Sequence, residues 1–285
     1  MSTLIYVGNL DKMNTSLDGE NVIYSLSNKS GDVLSINPLI GKRVEIRFSG
    51  QNICRHCDSE VSALKRQGYC EACYYSLAAC DKCIMSPELC HYDKGTCREP
   101  AWGEENCLKP HAVYLSYTSS FKVGITRHTN MPSRWLDQGA TTAAVLFNVE
   151  KRYVSGLVEV AFKPFISDRT NFRNMLLDTQ GVSDADFISK ANEVLRQVKP
   201  SISALQDELG EGAIVPVDEI KPQRFVYPMP SSLLPEKVGT GTSFKKDSLT
   251  VSGTLKGVKG QYWCVGDKWI NVRSQAGKKV EFFVE

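Results

Sequence analysis

The chain has 285 residues, 42% apolar and 23% charged, with a formal net charge of +2. That length exceeds one small core and fits two or three domains, and the near-neutral balance removes overall basicity as an argument for nucleic acid. The N-terminus has no basic start leading into an apolar run, and no apolar stretch approaches the roughly 20 residues needed to cross a bilayer, so a cytoplasmic protein is expected.

Residues 1–50 read as strands. LIYVGNL, NVIYSLS, DVLSI and RVEIRFSG alternate or run apolar, with Gly, Asn and Asp between them. Residues 51–110 change character, with few aliphatics, many turns and nine of the ten cysteines. Such a segment cannot build a core by apolar burial alone and needs a staple. Residues 111–208 return to α/β texture. HAVYLSY and FKVGITR form a hairpin turning at Thr118–Ser120, and Pro132 opens a helix that Gly139 ends in a left-handed conformation. TTAAVLFNV is a third strand and RYVSGLVEVAF a helix, with another helical piece over Asp168–Leu177. Ser183 and Asp186 cap a helix with Phe187, Ala191, Val194, Leu195 and Val198 on one face, which Pro200 is expected to end.

Residues 209–243, with five prolines, read as a linker or a long wrapped loop. Residues 244–285 are strands again, with a turn at Gly266–Asp267, and suggest a small β-barrel-like domain. Charge is uneven here. Residues 181–220 carry 3 Lys/Arg against 8 Asp/Glu, whereas residues 221–285 carry 11 against 5. The basic tail suits a polyanion, or is simply a solvated lysine surface. The expected fold class is therefore α+β and multi-domain: β-rich 1–50, a cysteine-rich metal module at 51–110, an α/β centre at 111–208, a linker at 209–243 and a small β domain at 244–285.

Cysteines in a cytoplasmic chain point to metal rather than disulfides. Cys54-x2-Cys57-x12-Cys70-x2-Cys73 has zinc-ribbon or treble-clef spacing. Four thiolates leave zinc no open position, so the site is structural, with His56 a bystander. A second set contains Cys80, Cys83, Cys90, Cys97 and Cys107, with His91 and His111 nearby. Cys83, Cys90, Cys97 and Cys107 are the preferred ligands, with Cys80 in place of Cys107 as the rival. Zinc is the default at both sites, and an iron–sulfur cluster remains open at the second. Cys264, flanked by Trp263 and Val265, reads as a small buried hydrophobe.

The stretch AVY (112–114) followed by KVG (122–124) resembles the GIY-YIG nuclease fold in its K-[IV]-G variant, over roughly residues 111–180. The longer phrases PELCHYDKGTCREPAWGE, VYLSYTSSFKVGITR and RWLDQGA, with GVKGQYW late in the chain, resemble a bacterial family of unknown function that joins cysteine clusters to a GIY-YIG-like centre. The nuclease resemblance implies that Tyr114 helps activate water, Arg134 grips phosphate with Arg127 as a second candidate, Lys122 holds phosphate as a point charge, and Glu159 binds one Mg²⁺. The first motif lacks its glycine and the link between the motifs is short. The late asparagine has no certain match, with Asn171, Asn174 and the nearby Asp168 as candidates. Simpler roles stand beside these: Tyr114 and Trp135 as core aromatics, Arg134 in a surface ion pair with Asp137, Glu159 facing solvent, and Asp137 and Gln138 in capping and turn formation.

The leading expectation is a Mg²⁺-dependent endonuclease acting on DNA or RNA. Zinc would stiffen its N-terminal half, and Tyr262, Trp263 or Trp269 would stack on bases. The rivals are a non-catalytic zinc-containing DNA- or RNA-binding or protein-binding chain, and a metal enzyme with a redox-active second cluster.

Overall fold

The structure, a computed structural model, describes residues 2–166, 172–178, 180–235, 237–239, 241–244 and 250–285. It is a mixed α+β protein with three sheets among the described residues. Two compact units emerge, each assembled from segments distant in the chain: residues 1–75, 136–139 and 226–285 in the first, residues 76–135 and 140–225 in the second.

The first unit is built on one sheet that uses both ends of the chain. Strand Lys278–Val284 lies between Thr3–Asn9 and Arg43–Ile53, all antiparallel. Arg43–Ile53 then pairs with Thr250–Lys259, followed by Tyr262–Val265 and Lys268–Asn271. The C-terminal strands therefore continue the N-terminal sheet instead of closing a small barrel on themselves. The period-2 pattern of RVEIRF explains the register: Val44, Ile46 and Phe48 are buried, and Phe282 stands opposite Ile46. Asn14–Asp18 is a strand that the sequence hides, because its residues are polar and mostly exposed. A turn at Gly19, with φ +59°, pairs it with Asn21–Ser27.

Trp263 and Trp269 are fully buried, Trp263 donating to Met13 Sδ at 2.9 Å and meeting Phe282 edge-on. Neither indole can stack on a base, so the expected stacking platform is corrected to core packing; only Tyr262 of the three is partly open. Cys264 is buried between them, and burial pushes its thiol up to about 11.

RWLDQGA and GVKGQYW meet in this unit. Asp137 Oδ1 accepts from Gln261 Nε2 at 2.9 Å, and Oδ2 accepts from Lys12 Nζ at 2.9 Å. Gln261 also accepts from the Met13 amide at 2.7 Å. Gly260 passes so close that a Cβ there would stand 3.0 Å from the Asp137 carbonyl oxygen. Asp137 is thus bound into the fold.

In the second unit, hairpin His111–Tyr117 and Phe121–Arg127 adds Thr142–Val149 against its first strand. Helices Arg152–Phe162 and Asp184–Leu209 cover one face. Val154, Val158, Phe162, Phe187, Ala191, Val194 and Val198 pack there with Val113, Leu115 and Leu146. Ser183 Oγ accepts from the Asp186 amide at 3.1 Å, the capping pair read from sequence. Gly139 follows helix Ser133–Asp137 with φ +73°, as its position implied.

Pro200 does not end the long helix, which runs on to Leu209. Proline removes one backbone bond, but Ile202 beyond it is buried in the same cluster, so tertiary packing outweighs the local break. The proline-rich stretch after it is a strap along strand Thr142–Val149. Ile214–Pro216 pairs with that strand's far end and Gln223–Arg224 with its beginning.

Gly260 has φ +58° as well as its close backbone neighbour. Gly260→Ala is expected to lower stability by about 1–3 kcal/mol, read as a shift of the urea midpoint. A variant as stable as the parent would remove this contact from the account.

Candidate functional site

The Cys54, Cys57, Cys70 and Cys73 sulfurs all lie within 4.8 Å of one another, and the Cys57–Cys70 separation is 3.8 Å. A tetrahedron with metal–sulfur bonds of 2.3 Å has edges of about 3.8 Å, so the cage has the size of a zinc tetrathiolate. The backbone prepares it. Asp58, at φ +59°, closes the first knuckle, and its amide donates to the Cys54 carbonyl at 3.0 Å. The second knuckle leads into helix Glu71–Ser76. The Cys70 amide donates to Cys54 Sγ at 3.2 Å, and the Ser59 hydroxyl, 3.3 Å from Cys57 Sγ, helps pull that thiol down to about 6. His56 points to solvent, outside the cage. Four thiolates converging here would fill a tetrahedral shell around a metal and leave no open position, as in a structural site.

The second set behaves differently. Cys83, Cys90, Cys97 and Cys107 line one cavity of about 20 Å³ with Asp81, His91 and Trp102, and Cys80 is not part of that lining. The tightest donor group is Asp81, Cys83 and His91, within 4.8 Å. Asp81 was not among the residues read from sequence, although it sits directly between Cys80 and Cys83. Its carboxylate is already engaged, accepting from Arg98 Nε at 2.7 Å and from the Cys83 amide at 3.3 Å. Burial pushes the Cys83 thiol up to about 12 and raises Cys107 as well. A divalent cation reverses that balance by favouring thiolates.

Helix Arg152–Phe162 is pressed onto this module. At Gly156 a Cβ would stand 2.5 Å from the Glu88 amide nitrogen and 2.7 Å from Pro87 Cβ, so only glycine permits the approach. Arg152 donates through Nη2 to the Ile84 carbonyl at 2.6 Å, and through its amide to the Cys107 carbonyl at 2.8 Å. Its Nε is buried without a hydrogen-bond partner, and burial lowers its pKa. Arg127 donates to Asn106 Oδ1, next to Cys107. Arg134, half-buried, makes no hydrogen bond or ion pair among the described residues, though its charge is felt at Arg152 and Glu159. Burial raises the Glu159 carboxyl, against the pull of Lys163, Arg134 and Arg152. Arg134, Arg152 and Glu159 are therefore neighbours. Arg152, the most constrained of the three, was missed because a lone arginine at a helix start carries no spacing signal.

Tyr114 is not with them. Val113 and Leu115 belong to the core under helix Arg152–Phe162, so strand alternation points Tyr114 to the other face. There it is fully buried, its ring edge-on to Trp135 at 5.8 Å. Its hydroxyl lies 2.6 Å from where a Cβ on Gly124 would stand. KVG thus supplies the glycine on which the phenol rests. Lys122 is buried on the neighbouring strand, paired with Ser116. Asn174 lies on helix Phe172–Leu177, while Asp168 and Asn171 lie outside the described residues.

His111 is fully buried, with Nδ1 2.7 Å from the Lys109 carbonyl and Nε2 without a partner. Burial pushes this imidazole down to about 4, reinforced by Arg152 and Arg127 and opposed by the Lys109 carbonyl.

Two predictions follow from this geometry. Cys54→Ser or Cys70→Ser is expected to lose one zinc equivalent, measured by elemental analysis, and to unfold at lower urea than the parent. Unchanged zinc and stability in both variants would contradict the cage. For His111, the folded pKa lies below the unfolded one, so the unfolded chain takes up a proton first as pH falls. Stability is complete above about pH 6.5 and is lost on going down to about pH 4, by about 2–3 kcal/mol. Urea midpoints at pH 7 and pH 4 should differ by that much more in the parent than in His111→Gln.

A search of curated proteins and a search of solved structures returned no match. A family model described as protein of unknown function, DUF2797, matches residues 41–280. That span takes in both cysteine sets, the hairpin, the arginine cluster and most of the C-terminal sheet. The chain belongs to the DUF2797 family of proteins of unknown function.

Proposed function

We propose that the unit formed by residues 76–135 and 140–225 binds the phosphate backbone of nucleic acid. The observation that carries this reading is the arginine cluster. Arg134 is half-buried and uncommitted among the described residues, and the half-buried Arg152 beside it adds a second guanidinium. A phosphate oxygen satisfies such donors as a planar fork prefers. Arg127 and Lys163 enlarge the positive field, and the lysines of residues 221–285 add to overall attraction. Both cysteine sets serve as structural zinc sites in this reading, and the chain works in the cytoplasm on DNA or RNA.

Binding without cleavage is favoured over the endonuclease, because Tyr114 is packed under Trp135 and on Gly124 instead of facing water. The order of elements, a hairpin, a third antiparallel strand and a helix carrying Glu159, supports a GIY-YIG-like ancestry. One observation favours retained chemistry as a second reading: the half-buried Glu159 carboxylate lies beside Arg134, so one Mg²⁺ held by Glu159 would share a phosphate with that guanidinium.

A fluorescein-labelled oligonucleotide titrated at several salt concentrations separates these readings. Arg134→Ala is expected to weaken binding roughly tenfold at low salt and to lower the salt slope by about 0.7–0.9, one phosphate contact. Glu159→Gln should bind as the parent does, and neither protein should cut with Mg²⁺ present. Cleavage abolished by Glu159→Gln establishes the second reading. No binding by the parent removes both.

A further inference from the structure

We infer that the Cys83, Cys90, Cys97 and Cys107 set is a metal-operated support for the phosphate grip: a divalent metal bound there fixes Arg152, and its loss releases that arginine. The inference rests on the phosphate-binding reading for its functional consequence, though not for the mechanical link. Three contacts make the link. Arg152 Nη2 donates to the carbonyl of Ile84, the residue after Cys83, at 2.6 Å. The Arg152 amide donates to the carbonyl of Cys107 itself at 2.8 Å. Gly156, one turn on, lies against the Pro87–Glu88 backbone, midway between Cys83 and Cys90. Arg127 adds a fourth tie through Asn106, next to Cys107.

The seat of the Arg152 guanidinium is therefore a single turn at Ile84, whereas Asn106 and Cys107 sit at the end of helix Pro100–Asn106. Residues Lys82–Ile84, Pro87–Leu89 and Tyr92–Lys94 are single 3-10 turns, and Leu89 is exposed. Short turns of this kind do not hold a backbone carbonyl fixed by themselves. Cys83, Cys90, Cys97 and Cys107 line one cavity of about 20 Å³ but no three of their sulfurs lie within 4.8 Å of one another, so a cation that draws them together would fix these turns. Binding converts four thiols to four metal thiolates and releases four protons to solvent, with no change of oxidation state. A guanidinium tethered through Nη2 to one fixed carbonyl, on a backbone whose amide is tied to a second, holds its other N–H donors in one direction. With the loops released, the same arginine recovers its rotamers and the grip weakens.

The test compares the full-length parent with Cys83→Ser/Cys97→Ser and with Arg152→Lys. Zinc content, hydrogen exchange of the Arg152 amide, and binding of the labelled oligonucleotide are measured on each. The parent is expected to hold two zinc ions and to protect the Arg152 amide. The double cysteine variant should hold one zinc, lose that protection at least tenfold, and bind about tenfold more weakly. Arg152→Lys should keep two zinc ions and show the same weakened binding, which serves as the readout where the cysteine variant fails to fold. Two zinc ions in the cysteine variant, or one zinc with Arg152 still protected, overturns the inference. Full-strength binding by Arg152→Lys overturns the role of Arg152. Absence of oligonucleotide binding by the parent, with the zinc and exchange results as expected, overturns the proposed function and leaves the mechanical link standing.

Discussion

The scarcity of apolar side chains in the cysteine-rich segment is the constraint on which the rest depends. Nine of the ten cysteines fall between residues 54 and 107, in a segment of single turns and short helices. Burial of aliphatic side chains is too sparse there to balance the entropy of ordering the chain. A metal tetrathiolate would replace that missing core with a few strong, directional bonds. The Cys54 cage illustrates it: one knuckle follows strand Arg43–Ile53, the other starts a helix, and amide-to-sulfur bonds pre-shape both.

From that constraint the second unit can be understood outward. Its sheet and two helices have an ordinary apolar core, Val113, Val158 and Val194 among its members. What they carry is a helix whose N-terminus is pinned to the cysteine module and whose flank bears Arg152 and Glu159. Polar groups left unpaired in a buried place are costly, and proteins keep them where something else completes them. Arg152 Nε and His111 Nε2 are such groups, and both sit near the arginines. The proposed phosphate would add negative charge where Arg127, Arg134 and Arg152 raise the local positive field.

Much of this was legible in the sequence, for reasons specific to each element. Hairpin 111–127 and helix Arg152–Phe162 are plain because their apolar periods are clean, and the capping pair at Ser183 because its chemistry is local. The first cage is plain because two short Cys-x2-Cys knuckles bring four sulfurs together with little help from distant chain. Three kinds of fact were not legible. Pro200 sits inside a helix because Ile202 and its neighbours find a core that only the tertiary fold provides. The strap at 214–224 takes its order from the edge of strand Thr142–Val149, and its own prolines suggest only irregular chain. The face on which Tyr114 lies follows from strand alternation, but that this face is closed by Trp135 depends on a helix a whole strand later. Trp263 and Trp269 show the same limit: a basic, aromatic-rich sheet reads as a stacking surface until the partner strands bury it.

The central claim is that thiolate-bound metal, not apolar packing, orders the cysteine module. X-ray absorption at the zinc edge of the purified protein tests it most directly. A shell of four sulfurs at about 2.3 Å around each zinc is predicted. A spectrum with no zinc, or with zinc ligated mainly by oxygen and nitrogen, would contradict the account at its base.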